Sequence, residues 1–148
     1  MIEPFLLRLF GEDHLKAVYW VSPWMTHLDF RRATTRNLLR KFARTSMNLT
    51  VITREPDPGS PHEEFIRDAI RLAAATVFYM PTLHAKFYVA ATPDRRYALL
   101  GSANMYQWSG QTFELGVVIE AKGAGEILVD ALEQLAIELR VTPGLVQA

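Results

Sequence analysis

Two short runs of β-branched and aromatic residues, Ala17 to Ser22 (AVYWVS) and Asn48 to Arg54, are each followed by a stretch of helical periodicity. This alternation narrows the fold more than any other feature of the chain. The first run stops at Pro23, as a buried strand should. From Leu28 to Ser46, at 100° per residue, Leu28, Thr35, Leu38, Leu39 and Phe42 fall within one arc of about 100°. Arg32, Arg36, Arg40 and Arg44 follow one another along another face, so the pattern predicts an amphipathic helix with a basic stripe. After Asn48 to Arg54, a Pro/Asp/Gly loop from Glu55 to Gly59 leads to Ser60-Pro61-His62-Glu63. That tetrapeptide supplies an N-cap, a proline at the first helical position and a capping-box glutamate. The helix it opens is expected to bury Phe65, Ile66, Ala69 and Ile70.

Three strand-like segments come next, Thr76 to Met80, His84 to Ala91 and Tyr97 to Gly101, the last two joined by the polar turn Thr92-Pro93-Asp94-Arg95. Thr112 to Glu120 reads as a further strand. Gly123 and Gly125 lead into a last helix, where Leu128, Ala131, Leu132, Leu135 and Leu139 form an apolar stripe opposite Glu126, Asp130, Glu133 and Glu138. The order β-α-β-α-β-β-β-β-α predicts an α/β fold, a mixed β-sheet flanked by helices. The 148 residues suit one domain, 1–148, large enough to bury about two-thirds of its unfolded surface without staples.

The chain holds no cysteine, which excludes a disulfide, a thiolate nucleophile and a zinc ribbon. Met1 to Phe10 is apolar but is cut by Glu3 and Arg8, and it lacks a basic start and a small-residue cleavage site, so no signal peptide is expected. The longest apolar run, Leu72 to Met80, is nine residues, short of the ~18 a membrane span needs. A cytoplasmic protein is the expectation.

The residues with chemical potential gather late in the chain. His84 and Lys86 are two apart on an expected strand, so their side chains leave the same face. Alone, His-x-Lys turns up by chance in roughly one chain of this length in seven. The next strand, however, ends in Gly101-Ser102-Ala103-Asn104, and Glu114 follows between apolar neighbours. Together these groups suit metal-free attack on a phosphodiester. A neutral imidazole at His84 is a nucleophile near pH 7, Lys86 supplies a point charge, and Ser102 with Asn104 supplies donors for the non-bridging oxygens. Glu114 would fix the ring and support a cationic phosphohistidine.

His84-Ala85-Lys86, Gly101-Ser102-Ala103-Asn104 and Glu114 resemble the HKD motif of the phospholipase D superfamily in order, spacing and strand context. The resemblance is strongest from Leu83 to Ile119 and implies a phospholipase D-like half-domain. One element departs from it. The family's aspartate, four intervening positions beyond Lys86, falls on Ala91, which puts the supporting shell of the site in question before the nucleophile. Thr112 also stands where an asparagine is common.

The family mechanism uses two histidines, one attacking phosphorus and one protonating the leaving oxygen, and this chain carries one motif. The resemblance therefore implies a homodimer that completes the active site, as in small single-motif endonucleases. Seven basic residues and no acidic one lie between Phe30 and Arg54, which favours a polyanionic substrate, DNA or RNA. Arg32, Arg36 and Arg40 are candidate phosphate contacts, and Trp24 and Trp108, just beyond strand ends, are candidate base-stacking residues. No cofactor and no metal are expected, because His14, His27, His62 and His84 lack paired-ligand spacing. Three other readings stay open: a weak or inactive phospholipase D-like subunit of a larger complex with an ATPase or targeting subunit, a phospholipid phosphodiesterase and, last, a metal hydrolase.

Overall fold

The computed structural model describes residues 2–29, 34–102, 104–105, 115–122, 126–142 and 146–147. Among these residues seven strands form one mixed sheet: β1 (Ala17–Val21), β2 (Asn48–Thr53), β3 (Thr76–Tyr79), β4 (Phe87–Ala91), β5 (Arg95–Gly101), β6 (Gly116–Lys122) and β7 (Val146–Gln147), in the order β6-β5-β4-β1-β2-β3-β7. β1, β2 and β3 are parallel, while β4, β5 and β6 continue the sheet as an antiparallel meander on the other side of β1. This is the α/β architecture the sequence pattern implies. No helix among the described residues is long and apolar enough to cross a membrane.

The helices α1 (Ile2–Gly11), α2 (Thr35–Arg44) and α3 (Pro61–Ala73) cover one face, and α4 (Ile127–Leu139) covers the other. Alternation within each strand sorts the core. Val18 and Trp20 face the three helices, with Trp20 fully buried between the rings of Phe42 and Phe65 at 5.7 and 6.0 Å, whereas Tyr19 and Val21 face α4. The Ser60 hydroxyl caps α3 as expected, accepting the Glu63 N–H at 3.1 Å, while the Glu63 carboxylate accepts the N–H of Gly59 at 2.7 Å in place of that of Ser60, which donates to Asp57 C=O.

Several elements depart from the pattern reading. The apolar start of the chain is itself a helix, α1, because Phe5, Leu6 and Leu9 at helical spacing reach the core. The second helix begins at Thr35, not Leu28, because Thr34 caps it by accepting Asn37 N–H. Leu28 is nonetheless buried, held by Thr35, whose hydroxyl bonds both its N–H and its C=O. Ile70 is 43% exposed. The last helix is rotated from the expected stripe and buries Val129, Leu132 and Ala136, because Asp130 and Glu133 pair with Arg96 on β5; Leu128 and Leu135 are left exposed. The expected strand from Thr112 begins at Gly116, with residues 112–114 outside the described residues.

One end of the sheet gathers the C-terminal ends of β1, β2, β3 and β5 with the starts of β4 and β6. Ligand sites of open α/β sheets favour the carboxyl ends of parallel strands, where chain direction splits.

Candidate active site

His84 and Lys86 lie at this end, in the segment that leads into β4 and not on the strand itself. The ladder stops here for a physical reason: the neighbouring strand β1 gives way to Pro23, which has no N–H to pair. The expectation that both side chains leave one face rests on strand alternation, and these two residues lie outside the strand. Leu83 and Phe87 pack on the α4 face, while Tyr88 and Ala90 pack against the three helices. His84 is exposed, and its ring has no hydrogen-bond partner among the described residues. Lys86 bonds the C=O of His84 through Nζ at 2.9 Å, and Arg54 holds the preceding C=O, that of Leu83, through Nε at 2.8 Å. Both bonds fix the backbone on which the imidazole stands.

Phe87 is in register with Val21 and Leu100, which puts Lys86 level with Ser22 and Gly101. Gly101 is required there. A Cβ at this position would stand 2.6 Å from Leu115 C=O and 2.9 Å from Gly116 Cα, both backbone atoms that cannot swing away. The close approach lets Ser102 clip Leu115: Ser102 N–H donates to Leu115 C=O at 2.9 Å and Leu115 N–H donates to Ser102 Oγ at 3.1 Å. Glu114 and Trp108 lie outside the described residues, as does Arg32.

Asn104 is oriented by a residue the sequence reading passed over. Ser22, fully buried at the end of β1, donates to Oδ1 of Asn104 at 3.0 Å, with Trp24 C=O at the same distance as an alternative acceptor. With Oδ1 engaged, the Asn104 amide Nδ2 is left as a donor with no partner among the described residues. The only sequence signal for Ser22 was a hydroxyl between a hydrophobic strand and a proline.

The loop after β1 is pinned at each residue. Thr53 Oγ1 donates to Pro23 C=O at 3.2 Å, and the buried His62 accepts Met25 N–H through Nδ1 at 3.1 Å while its Nε2 lies 3.1 Å from Arg54 C=O. Met25 bridges to Met105, one residue past Asn104. His62 therefore does more than follow a helix cap: it ties α3 to the loops that carry the site.

The basic stripe divides into two parts. Arg36 is committed to structure, its Nε bonding Asp68 at 2.9 Å and its Nη2 bonding Glu64, so it ties α2 to α3 and is not a free phosphate contact. Asp68 also receives Arg71 at 3.0 Å and the His27 ring at 3.1 Å. Burial pushes the Asp68 carboxyl up, but the hydrogen bonds from Arg36 and Arg71 and the nearby positive charges outweigh it and hold its pKa at about 2. His27 is shifted down, by burial first and by the Arg36 charge second. Further along α2, Arg40, Lys41 and Arg44 line a concavity of about 340 Å³ with Phe10 and Asn37, and no carboxylate lines it. Arg40 bonds only Asn37 and Arg44 has no partner among the described residues.

Ala91 stands at the far end of β4, paired with Ala17 and Arg96. At ~3.3 Å per strand residue it lies roughly 16 Å from Lys86. The missing aspartate thus removes no group from the neighbourhood of the imidazole.

No family model and no curated protein matches the chain. Solved structures do. The chain is similar to a polyphosphate kinase from Porphyromonas gingivalis, with a TM-score of 0.64 and 15% identity over 94% of this chain and 24% of that one. It is also similar to NucT from Helicobacter pylori, with a TM-score of 0.65 and 15% identity over 99% of this chain and 90% of that one. The chain thus spans about a quarter of the polyphosphate kinase and nearly the whole length of NucT. With a mixed sheet and helices on both faces among the described residues, the fold is the phospholipase D-like half-domain that the His-x-Lys and Gly-Ser-x-Asn segments imply.

Proposed function

We propose that this chain is a metal-independent phosphodiesterase acting on nucleic acid, with His84 as the nucleophile and a second copy of the chain completing the site. In the first step a neutral ring nitrogen of His84 attacks phosphorus. A P–N bond forms, the P–O bond to the leaving oxygen breaks, and an imidazolium donates its proton to that oxygen. In the second step the imidazole so formed takes a proton from water, whose oxygen attacks phosphorus, breaks the P–N bond and frees His84. Lys86 and the Asn104 amide face charge on the non-bridging oxygens.

The observation that carries the shared site is the fate of the other histidines. His62 is buried with both ring nitrogens engaged, His27 has Nε2 on Asp68 and a buried Nδ1, and His14 precedes β1 at the opposite end of the sheet. Each chain offers one usable imidazole and the chemistry needs two. Apolar side chains beside Ser102 support self-association: Leu100, Leu115 and Val117 are 40, 80 and 58% exposed. The likeness to a polyphosphate kinase supports phosphoryl chemistry on this fold.

The test is a trapped intermediate. Single turnovers on phosphate-labelled oligonucleotide, quenched in alkaline denaturant because a P–N bond hydrolyses in acid, should leave label on the protein, and none on His84→Ala. Label that persists in the His84→Ala protein overturns the assignment.

A further inference from the structure

Trp24 is exposed at 44%, yet nothing about its backbone is loose. Its C=O lies 3.0 Å from the Ser22 hydroxyl, Pro23 C=O accepts from Thr53 Oγ1, and Met25 is bound at its N–H by buried His62. The indole is therefore presented from a rigid loop at the end of β1. Arg54 lies over it, its guanidinium carbon 4.8 Å from the ring centroid, while Arg54 Nε holds the C=O of the residue before His84. Arg54 forms no ion pair among the described residues, so its charge beside the ring is uncompensated. A flat π surface with a cation on one face, tied by one arginine to the segment that carries the nucleophile, is suited to a base and its phosphate together.

We infer that the Trp24–Arg54 pair is a stacking platform that holds one unpaired nucleobase next to the scissile phosphate, so that the preferred substrate is single-stranded. The inference rests on the nucleic-acid reading above and names the strand state that reading leaves open. Bases in a duplex already have both faces stacked on neighbours. A single strand offers free faces, and base–aromatic stacking changes affinity by about tenfold or more per base.

Binding is measured in the His84→Ala background, where no turnover intervenes, by fluorescence anisotropy with a labelled single-stranded oligonucleotide, its duplex and an oligomer of abasic sugar-phosphate units. Adding Trp24→Ala should weaken single-strand binding about tenfold, Trp24→Phe should recover most of it, and abasic oligomer should bind all three proteins alike. Equal single-strand binding by the Trp24→Ala protein overturns the platform alone, as does an equal loss on abasic oligomer, which would mark a merely structural role. Tighter binding of duplex than of single strand overturns the substrate preference. Failure of the His84→Ala parent to bind any of the polymers overturns the nucleic-acid reading and the platform with it.

Discussion

Ser22 donates its hydroxyl hydrogen to Oδ1 of Asn104 at 3.0 Å, joining the end of β1 to the segment after β5 across 82 positions of sequence. The bond leaves the Asn104 amide nitrogen as a donor at the end of the sheet where His84 stands. Ser22→Ala should lower turnover about fivefold with little change in substrate affinity, because one hydrogen bond of about 1 kcal/mol is lost and the amide becomes free to rotate. Steady-state kinetics on an oligonucleotide checks this, and an unchanged kcat would show that Asn104 needs no such support.

Gly101→Ala should separate the start of β6 from the end of β5. The new Cβ would meet the Leu115 carbonyl and Gly116 Cα inside any tolerable contact, so the backbone must shift at a cost of about 1–3 kcal/mol. Thermal melting should show the loss, and activity should fall further than stability because Ser102 and Leu115 part. A melting temperature equal to that of the parent contradicts the close packing.

Part of this site is legible in the sequence and part is not. The spacing of His84 and Lys86 suggests a strand that carries both, but the strand proper starts only at Phe87, since strand limits depend on what the neighbour can pair. The Ser60 cap and the buried arc of Thr35, Leu38, Leu39 and Phe42 are local facts and were readable. Ser22 with Asn104 and Arg36 with Asp68 are tertiary pairings between distant segments, and no periodicity marks them. The rotation of α4 has the same origin: its apolar stripe was real, but the pairing of Asp130 and Glu133 with Arg96 decides which flank is buried.

Acid should weaken the fold in two stages. His27 has a lowered pKa, so the unfolded chain binds its proton first and stability falls as pH drops below about 6.5. Asp68 is held at about 2 against an ordinary 3.8, so its contribution of roughly 2 kcal/mol is present above 3.8 and is lost as pH falls towards 2. Denaturant titrations against pH check this, and Asp68→Asn should flatten the lower stage. An identical acid limb in that variant contradicts the pairing.

The arginines of α2 should separate into two behaviours. Arg36→Gln should cost about 1–2 kcal/mol of stability, since Asp68 keeps Arg71 as a partner, and should leave the salt dependence of nucleic-acid binding unchanged. The double change Arg40→Gln with Arg44→Gln should leave melting unchanged and reduce the salt slope by about 1.4 for a single strand, at ~0.7 per phosphate contact. A salt slope that responds to Arg36 and not to the pair would reverse these roles.

If the exposed Leu115 and Val117 form the contact of the proposed dimer, Leu115→Glu with Val117→Glu should halve the mass seen by light scattering and abolish cleavage. A monomer of full activity contradicts the shared site.

The role of His84 as a metal-independent nucleophile is decided by cleavage of labelled single-stranded DNA and RNA in excess EDTA, comparing the parent protein with His84→Ala under single-turnover conditions. A histidine nucleophile requires cleavage by the parent and a rate at least about 1,000-fold lower in the variant. Cleavage by His84→Ala at the parental rate, or no cleavage of either polymer by the parent, would contradict it.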